Sequence, residues 1–395
     1  MRVLMVSPQF RPIVGGYERA AERLAASLAA RGHGVTVLAE RRYPAWPKRE
    51  SFDHVELRRW WCWYRPGVHV ATSLLGLLWT LALRGWRFEV WHAHQYGHHA
   101  AVTVLMGKLL RRPVVLKLTS SCAGGIAQSL RGARFATILR FLHRRVDGVA
   151  APTRETAREA VDFGIPSHRV RVVPNGVDVR RLMPTPRCER RRCKEALGVP
   201  DVPIAISIGR LVQPKQIDLM IQAWALAMAH VREPWMLVIV GEGQERASLE
   251  AQAMRLGLGQ SVRFVGHQAN IEAWLSCAEL FLQSSSREGL SNTMLEAMAA
   301  GLPVVITAVS GTKECVGETG AGRVVPIGDT DALAAALVEL ASDPVARDRC
   351  GAVARRVVDE GFSVEGVVDR CEALYRDLIG GSKFLGGAGT FRPLQ

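Results

Sequence analysis

Residues 280–307 read LFLQSSSREGLSNTMLEAMAAGLPVVIT. Leu280–Gln283 and Val304–Thr307 are short apolar runs of strand character. Between them lie a polar, glycine-containing turn and a stretch with helical spacing, so the segment is one βαβ unit. Upstream, Ile204–Ile208, Met236–Val240 and Val262–Val265 repeat the strand pattern with helices between them. A second such series occupies the first half: strands at Arg2–Ser7, Gly34–Ala39, Phe88–His92, Pro113–Leu118 and Asp147–Ala151, with helices at Gly16–Arg31, His98–Leu110 and Thr153–Phe163. A basic, proline-containing connector, Arg180–Cys193, separates the two series. The pattern predicts an α/β chain of two facing Rossmann-like, doubly wound domains, 1–183 and 184–362. A helix over 363–379 and a glycine-rich tail, 380–395, read as disordered, follow. Ligands of such sheets bind at the carboxyl ends of the strands, which makes the cleft between the domains the expected site.

Composition agrees with this plan. The 395 residues are 48% hydrophobic and 22% charged, which excludes a disordered or fibrous chain and allows two cores. The longest stretch without Asp, Glu, Lys or Arg, Pro66–Leu83, is interrupted by glycine and is marginal for a membrane span, so a polytopic membrane protein is excluded. Met1-Arg2 leads at once into VLMVS, which reads as a strand rather than a secretory signal. Eight scattered cysteines without a C-x-x-C pair predict reduced thiols and a cytoplasmic setting. Net charge is +14, unevenly spread: 29 Lys and Arg against 12 Asp and Glu through Met183, then 22 against 25 from Pro184 onward. A basic first half points to an anionic partner there.

Three loops carry chemistry. In PQFRPIVGGYERAA, Gly15 and Gly16 stand at a strand-to-helix junction, where they serve either a diphosphate or sugar contact or an ordinary tight turn. They do not form G-x-G-x-x-G, which argues against a dinucleotide cofactor. In ISIGRLVQPKQIDLM, Arg210 and Lys215 leave a strand and enter a helix; both can reach one pyrophosphate, or both can be solvated surface cations. In the opening segment, Gly289, Leu290, Ser291 and Asn292 would present backbone N–H groups at a helix start. Glu288 on the turn and Glu296 in the helix can hold two hydroxyl-bearing parts of one ligand. Helix capping is the alternative for Glu288, and it leaves Glu296 without an explanation on its apolar flank.

Together VGGYERAA, VRVVPNGVD, ISIGRLVQPK, LVIVGEGQE, VRFVG and the E-x7-E of REGLSNTMLEAMAAGLPVV resemble the retaining nucleotide-sugar glycosyltransferases of family four (group 1), which have the two-domain GT-B fold. The likeness runs from about Arg2 to Ile379. It implies that Arg210 and Lys215 neutralise a leaving diphosphate, that Glu288 contacts the transferred sugar, and that Glu296 holds the nucleotide ribose. It also implies that Gly15 and Gly16 lie beside the diphosphate, that the C-terminal helix returns to brace the first domain, and that no metal or dissociable cofactor is needed. Two positions depart from the family pattern: Thr119 stands where many relatives carry His, and Gln216 follows Lys215 where Gly is usual.

The expected activity is therefore transfer of a hexose from a UDP- or GDP-sugar to a hydroxyl, with retention by front-face attack. An epimerase or sugar phosphorylase on the same fold, and at greater distance a basic nucleic-acid-binding module, are the alternatives. HAHQYGHH (His92–His99) fits no zinc spacing; His94 and Thr119 are candidate contacts to acceptor or sugar. RRWWCWYRPG (Arg58–Gly67) interleaves aromatic and basic residues ahead of the apolar Val70–Leu83, which suits a membrane–water interface or, alternatively, a strand with core-facing Trp. An anionic inner membrane face would attract the basic half, and the acceptor expected from this is lipid-linked or a surface-glycan intermediate.

Overall fold

The apolar run at the start of the chain, Arg2–Val6 (β1), is buried from Val3 onward and forms the middle of the first sheet. The computed structural model describes residues 1–13, 15–119, 125–131 and 135–381. These form two units, residues 1–176 with the chain from Val364, and Val177–Ser363. The tail from residue 382 and Cys122 lie outside the described residues.

In unit 1, β1 is followed by α1 (Gly16–Ala30), β2 (Gly34–Arg41), β3 (Arg49–Phe52), β4 (Val55–Trp61) and α2 (His69–Arg84). Then come β5 (Val90–His94), α3 (His98–Leu109), β6 (Val114–Lys117), α4 (Ile126–Arg131), α5 (Ala136–His143), β7 (Gly148–Ala151), α6 (Arg154–Asp162) and β8 (Val170–Val172). The strands order as β3-β4-β2-β1-β5-β6-β7-β8, all parallel except β3. That exception is a hairpin the sequence did not reveal, because its two-residue turn uses Asp53 (φ 43°) and His54 (φ 63°) without a glycine.

Unit 2 holds α7 (Arg187–Ala196), β9 (Ile204–Ile208), α8 (Ile217–Met228), β10 (Met236–Val240), α9 (Arg246–Arg255), β11 (Val262–Gly266), α10 (Ile271–Ser276) and β12 (Leu280–Gln283). It continues with α11 (Asn292–Ala299), β13 (Val304–Thr307), β14 (Gly322–Val325), α12 (Thr330–Ser342) and α13 (Pro344–Gly361). Its sheet is wholly parallel in the order β11-β10-β9-β12-β13-β14. Strands such as Met236–Val240 are buried along their whole length, because helices cover both faces and every side chain must be apolar. Residues 177–183, grouped with the first domain on sequence, pack in unit 2: Val177 N–H donates to Phe362 O (2.9 Å) and Val177 bridges Ser363 in parallel.

The last helix, α14 (Val364–Ile379), belongs to unit 1. Val367, Val368, Cys371, Leu374 and Tyr375 join a core with Leu24 and Leu28 of α1 on one face of the sheet. Leu77 and Leu81 of α2, Val104 of α3 and Leu139 of α5 pack on the other face.

Candidate functional site

In unit 2 the strand order reverses between β9 and β12. Successive strands extend the sheet to one side of β9 and then, from β12, to the other. The loops leaving these two strands diverge, and the crevice at such a switch point is where open parallel sheets bind ligands. Lys215 lies in the loop after β9, Glu288 in the loop after β12.

Hydrogen bonds from serine hydroxyls and backbone stitch the two loops together. Ser284 Oγ donates to the carbonyls of Lys215 (2.9 Å) and Gln216 (2.8 Å), and Ser286 donates to Pro214 O through both its N–H (2.9 Å) and its Oγ (3.2 Å). Lys215 Nζ then donates to Glu288 Oε2 at 2.7 Å, with side-chain exposures of 18% and 23%. Arg210 is exposed on the same β9 loop. Behind that loop, a Cβ on Gly241 would lie 1.8 Å from Gly209 O and one on Gly243 2.1 Å from Leu211 O, so the G-E-G turn after β10 must be glycine at both positions. Leu211 N–H donates to Glu242 O (2.9 Å) across this contact.

Gln216 adopts φ 48°, ψ 44°, left-handed backbone that glycine takes freely. The loop thus has the conformation expected of the family's glycine, and Gln216 is accommodated in it at about 1–2 kcal/mol of strain. Its buried Oε1 has no hydrogen-bond partner among the described residues.

Ser291 caps α11, accepting from Met294 N–H (3.3 Å) and donating to Gln283 Oε1 (2.8 Å). Asn292 opens the helix, with Gly289 and Leu290 in the turn before it. The Leu290 side chain belongs to the core, so that residue offers the site backbone only. Glu296, one turn into α11, is 2% exposed. The serines that hold the loops together stand in the S-S-S run ahead of Glu288, which is their signal in the sequence.

Unit 1 has its own switch point, between β1 and β5. Gly15 caps α1 in extended backbone (φ −156°), and a Cβ there would lie 2.3 Å from Glu18 Oε2, so the glycine lets the buried Glu18 side chain fold back against the helix start. Gly16 begins α1. His94 ends β5, buried and stacked on His92 with centroids 4.5 Å apart. Burial, aided by the Lys117 ammonium, pushes His94 down to about 3, so its imidazole is neutral; its Nε2 has no partner among the described residues. His92 Nδ1 meets Tyr375 Oη at 2.6 Å, tying α14 to the sheet. Lys117, lowered by burial to about 8, donates to Val173 O and Pro174 O. Thr119 is partly buried just beyond β6.

His99 Nε2–H donates to His94 O (3.1 Å). His143 Nδ1–H donates to Leu139 O (2.7 Å) while its Nε2 accepts from Gly97 N–H (3.2 Å), as befits an imidazole pushed down to about 4 by burial. In HAHQYGHH the rings of His92 and His94 stack while His99 turns its Nε2–H to a backbone carbonyl, and no group of three or more His, Cys, Asp or Glu among the described residues could hold a metal ion. The aromatic run divides too: Trp60 is buried with Nε1 donating to Ser73 Oγ (3.1 Å), whereas Trp61 and Trp63 are 49% and 58% exposed.

Residues 189–357 match the family model described as "Glycosyl transferases group 1", and residues 15–176 match "Glycosyl transferase 4-like domain". The chain is 31% identical over 356 residues to the GDP-mannose-dependent alpha-(1-6)-phosphatidylinositol monomannoside mannosyltransferase of Mycolicibacterium smegmatis, covering 87% of this chain and 90% of that protein. It is 26% identical to the N-acetyl-alpha-D-glucosaminyl L-malate synthase of Bacillus anthracis, covering 93% and 95%. Similar solved structures include a sucrose-phosphate synthase from Thermosynechococcus elongatus (TM-score 0.79, 22% identity, 96% of this chain and 100% of that one) and Anabaena HepE in complex with UDP (0.76, 19%, 94% and 99%). At these identities the structures establish the fold.

Proposed function

This chain belongs to the group 1 glycosyl transferases, and from that premise we propose that it moves a hexose from a UDP- or GDP-sugar to a hydroxyl of a lipid-linked or surface-glycan acceptor, with retention at the anomeric carbon. The observation that carries this reading is the 2.7 Å ion pair between Lys215 and Glu288 at the unit 2 switch point. A cation and a carboxylate fixed side by side match a donor that is anionic at its diphosphate and rich in hydroxyls at its sugar.

In this mechanism the bond from the anomeric carbon to the diphosphate breaks while the acceptor oxygen attacks on the same face, and the acceptor's proton passes to the departing phosphate oxygen. Lys215 and Arg210 stabilise the charge that grows on the departing diphosphate, aided by backbone N–H groups from Gly289 to Asn292. Glu288 accepts from a sugar hydroxyl and Glu296 from the ribose. Gly15 and Gly16 allow close backbone approach to the donor. Neutral His94 offers an uncharged nitrogen, and Thr119 a hydroxyl, to sugar or acceptor. The acceptor is drawn from an anionic membrane surface at the cytoplasmic face, which the +17 carried by residues 1–183 would attract. The M. smegmatis relative, named for a phosphatidylinositol mannoside, supports a lipid-linked acceptor.

A panel of UDP- and GDP-sugars, screened first by thermal shift and then for release of free nucleotide with and without a glycolipid acceptor, tests the reading. Acceptor-dependent release and an α-linked product from an α-linked donor are expected. Release or isomerisation of the sugar without acceptor would replace transfer by hydrolysis or epimerisation.

A further inference from the structure

Helix α2 is apolar on the side where a surface helix is normally polar. It buries Thr72, Ser73, Gly76, Leu77 and Leu81, and turns Ala71, Leu75, Leu78, Trp79, Ala82 and Leu83 outward. Trp79 is 66% exposed and Leu75 63%. The orientation is fixed from inside: a Cβ at Gly76 would lie 2.0 Å from Trp61 O, so only the small-residue side of α2 can sit this close to β4. Next to α2 packs α3, and next to α3 packs α5. Leu109 at the end of α3 and Ile138 and Phe141 on α5 are also exposed, which spreads the apolar surface over three neighbouring helices. A patch of this breadth on a protein surface marks an interaction site.

The charge around it selects the partner. From Arg58 to Val146 the sequence has 14 Lys and Arg and a single carboxylate, Glu89. Exposed cations cluster where the helices end: Arg87, whose guanidinium lies 5.3 Å from the Trp86 ring, Arg111 after α3, and Arg145, 3.7 Å from the Phe141 ring, while Lys108 in the last turn of α3 is already paired with Asp147. Rings that can enter a hydrocarbon boundary, paired with cations that stay at its charged surface, are the two ingredients of interfacial binding. A second copy of the same face would bring like charges together, which disfavours self-association through it.

We propose that the outer face of α2, α3 and α5 is a docking surface for an anionic lipid monolayer, with Leu75, Trp79 and Leu83 inserting and the helix-end cations bound to headgroups. The proposal rests on the membrane-bound acceptor of the reading above and deepens it. It removes Trp60, a core residue, from the expected contact and centres insertion on the helical part of it, Val70–Leu83. The helices lie along the surface: no helix among the described residues is long and apolar enough to cross a membrane.

The test is sedimentation of the full chain with phosphatidylcholine vesicles, with and without phosphatidylglycerol. Wild type should bind the anionic vesicles and release from them in high salt. The variant Leu75→Ser, Trp79→Ser, Leu83→Ser should bind at least about tenfold more weakly, with an unchanged melting temperature and unchanged turnover on a soluble acceptor. Trp79→Phe, a milder change, should reduce quenching of tryptophan fluorescence by bromine-labelled lipid chains, and undiminished quenching overturns the insertion of Trp79. Binding equal to wild type in the triple variant, or a wild-type dimer that this variant converts to monomer, overturns the proposal. If wild type ignores vesicles but turns over nucleotide sugar, the docking surface falls and the donor reading stands. If the face binds vesicles as described and no nucleotide sugar is turned over, the surface stands and the transferase reading falls.

Discussion

At the switch point of unit 2 a lysine and a glutamate meet at 2.7 Å, whereas unit 1 has a pair of glycines and an imidazole held neutral by burial, with the Glu18 carboxylate folded against Gly15 and the Lys117 ammonium bonded to the carbonyls of Val173 and Pro174. The sheets share a topology at these points, strands running outward on both sides of a central pair, yet only in unit 2 is a cation paired directly with a carboxylate across the two loops. A charged pair can absorb charge that appears during a reaction. A neutral imidazole and bare backbone can position a ligand without adding to its charge. In the proposed mechanism the electrostatic part of transfer falls to unit 2 and the positioning part to unit 1.

The largest expected effect breaks or upholds that division directly. Lys215→Ala and Arg210→Ala should each lower turnover by about a hundredfold, the usual loss on removing one group that stabilises transition-state charge. Donor affinity, measured by calorimetry, should fall much less. His94→Gln, which keeps a neutral polar group at the unit 1 switch point, should lower turnover less than either. A larger loss from His94→Gln than from Lys215→Ala would reverse the assignment.

Next come the carboxylates, which divide unit 2 internally. Glu288→Gln should act on kcat and Glu296→Gln on KM for the nucleotide sugar, because in the proposed mechanism the first accepts from the reacting sugar and the second from the ribose. A lost charged hydrogen bond is worth about 1.5–3 kcal/mol, roughly ten- to a hundredfold in either constant. Steady-state kinetics that show both variants at wild-type values would take the donor away from this loop.

Much of this arrangement was legible in the sequence, for reasons specific to each element. Ile204–Ile208, Met236–Val240, Leu280–Gln283 and Val304–Thr307 are strands with the bounds read from sequence, because strands buried on both faces must be continuous apolar runs. The β3–β4 hairpin was not legible, since Asp53 and His54 form its turn without the glycine that signals one. Arg180–Cys193 read as a connector although α7 begins at Arg187; a helix this rich in Arg has no apolar stripe to betray it. In the site, residue types were readable and proximity was not. Lys215 and Glu288 are 73 residues apart, and their contact depends on two serines whose hydroxyls reach backbone carbonyls, which no spacing encodes.

A smaller effect separates the units by pH. His94 and His143 are lowered to about 3 and 4 in unit 1, chiefly by burial, while an unfolded histidine titrates near 6.5. As pH falls below about 6.5 the unfolded chain takes up protons that the folded one refuses, so stability falls with pH, by up to about 1.4 kcal/mol per pH unit for each such imidazole. Urea unfolding at pH 7, 6 and 5 should show this loss in the transition that carries unit 1. His143→Gln should flatten the dependence, and an unaltered slope would mean that His143 is protonated in the folded protein.

The smallest expected effect concerns the loop that sets the charged pair. Gln216 occupies left-handed backbone directly after Lys215. Replacing it with Gly removes about 1–2 kcal/mol of strain but adds about 0.5–1 kcal/mol of backbone entropy in the unfolded chain, for a net gain of roughly 0.5–1 kcal/mol. For a unit of this size the melting temperature should rise by about 1–4 °C. Gln216→Ala separates the two features of the residue, since it keeps the strained backbone and removes the buried amide. If Ala stabilises as much as Gly, the unpartnered Oε1 rather than the backbone is the source of the penalty. If Gly stabilises and turnover is unchanged, the Lys215–Glu288 geometry is held by Ser284 and Ser286, and the side chain at position 216 has no part in it. If Gly stabilises and turnover falls, the Gln216 side chain contributes to the reaction, and the polar set of unit 2 extends beyond its charged pair.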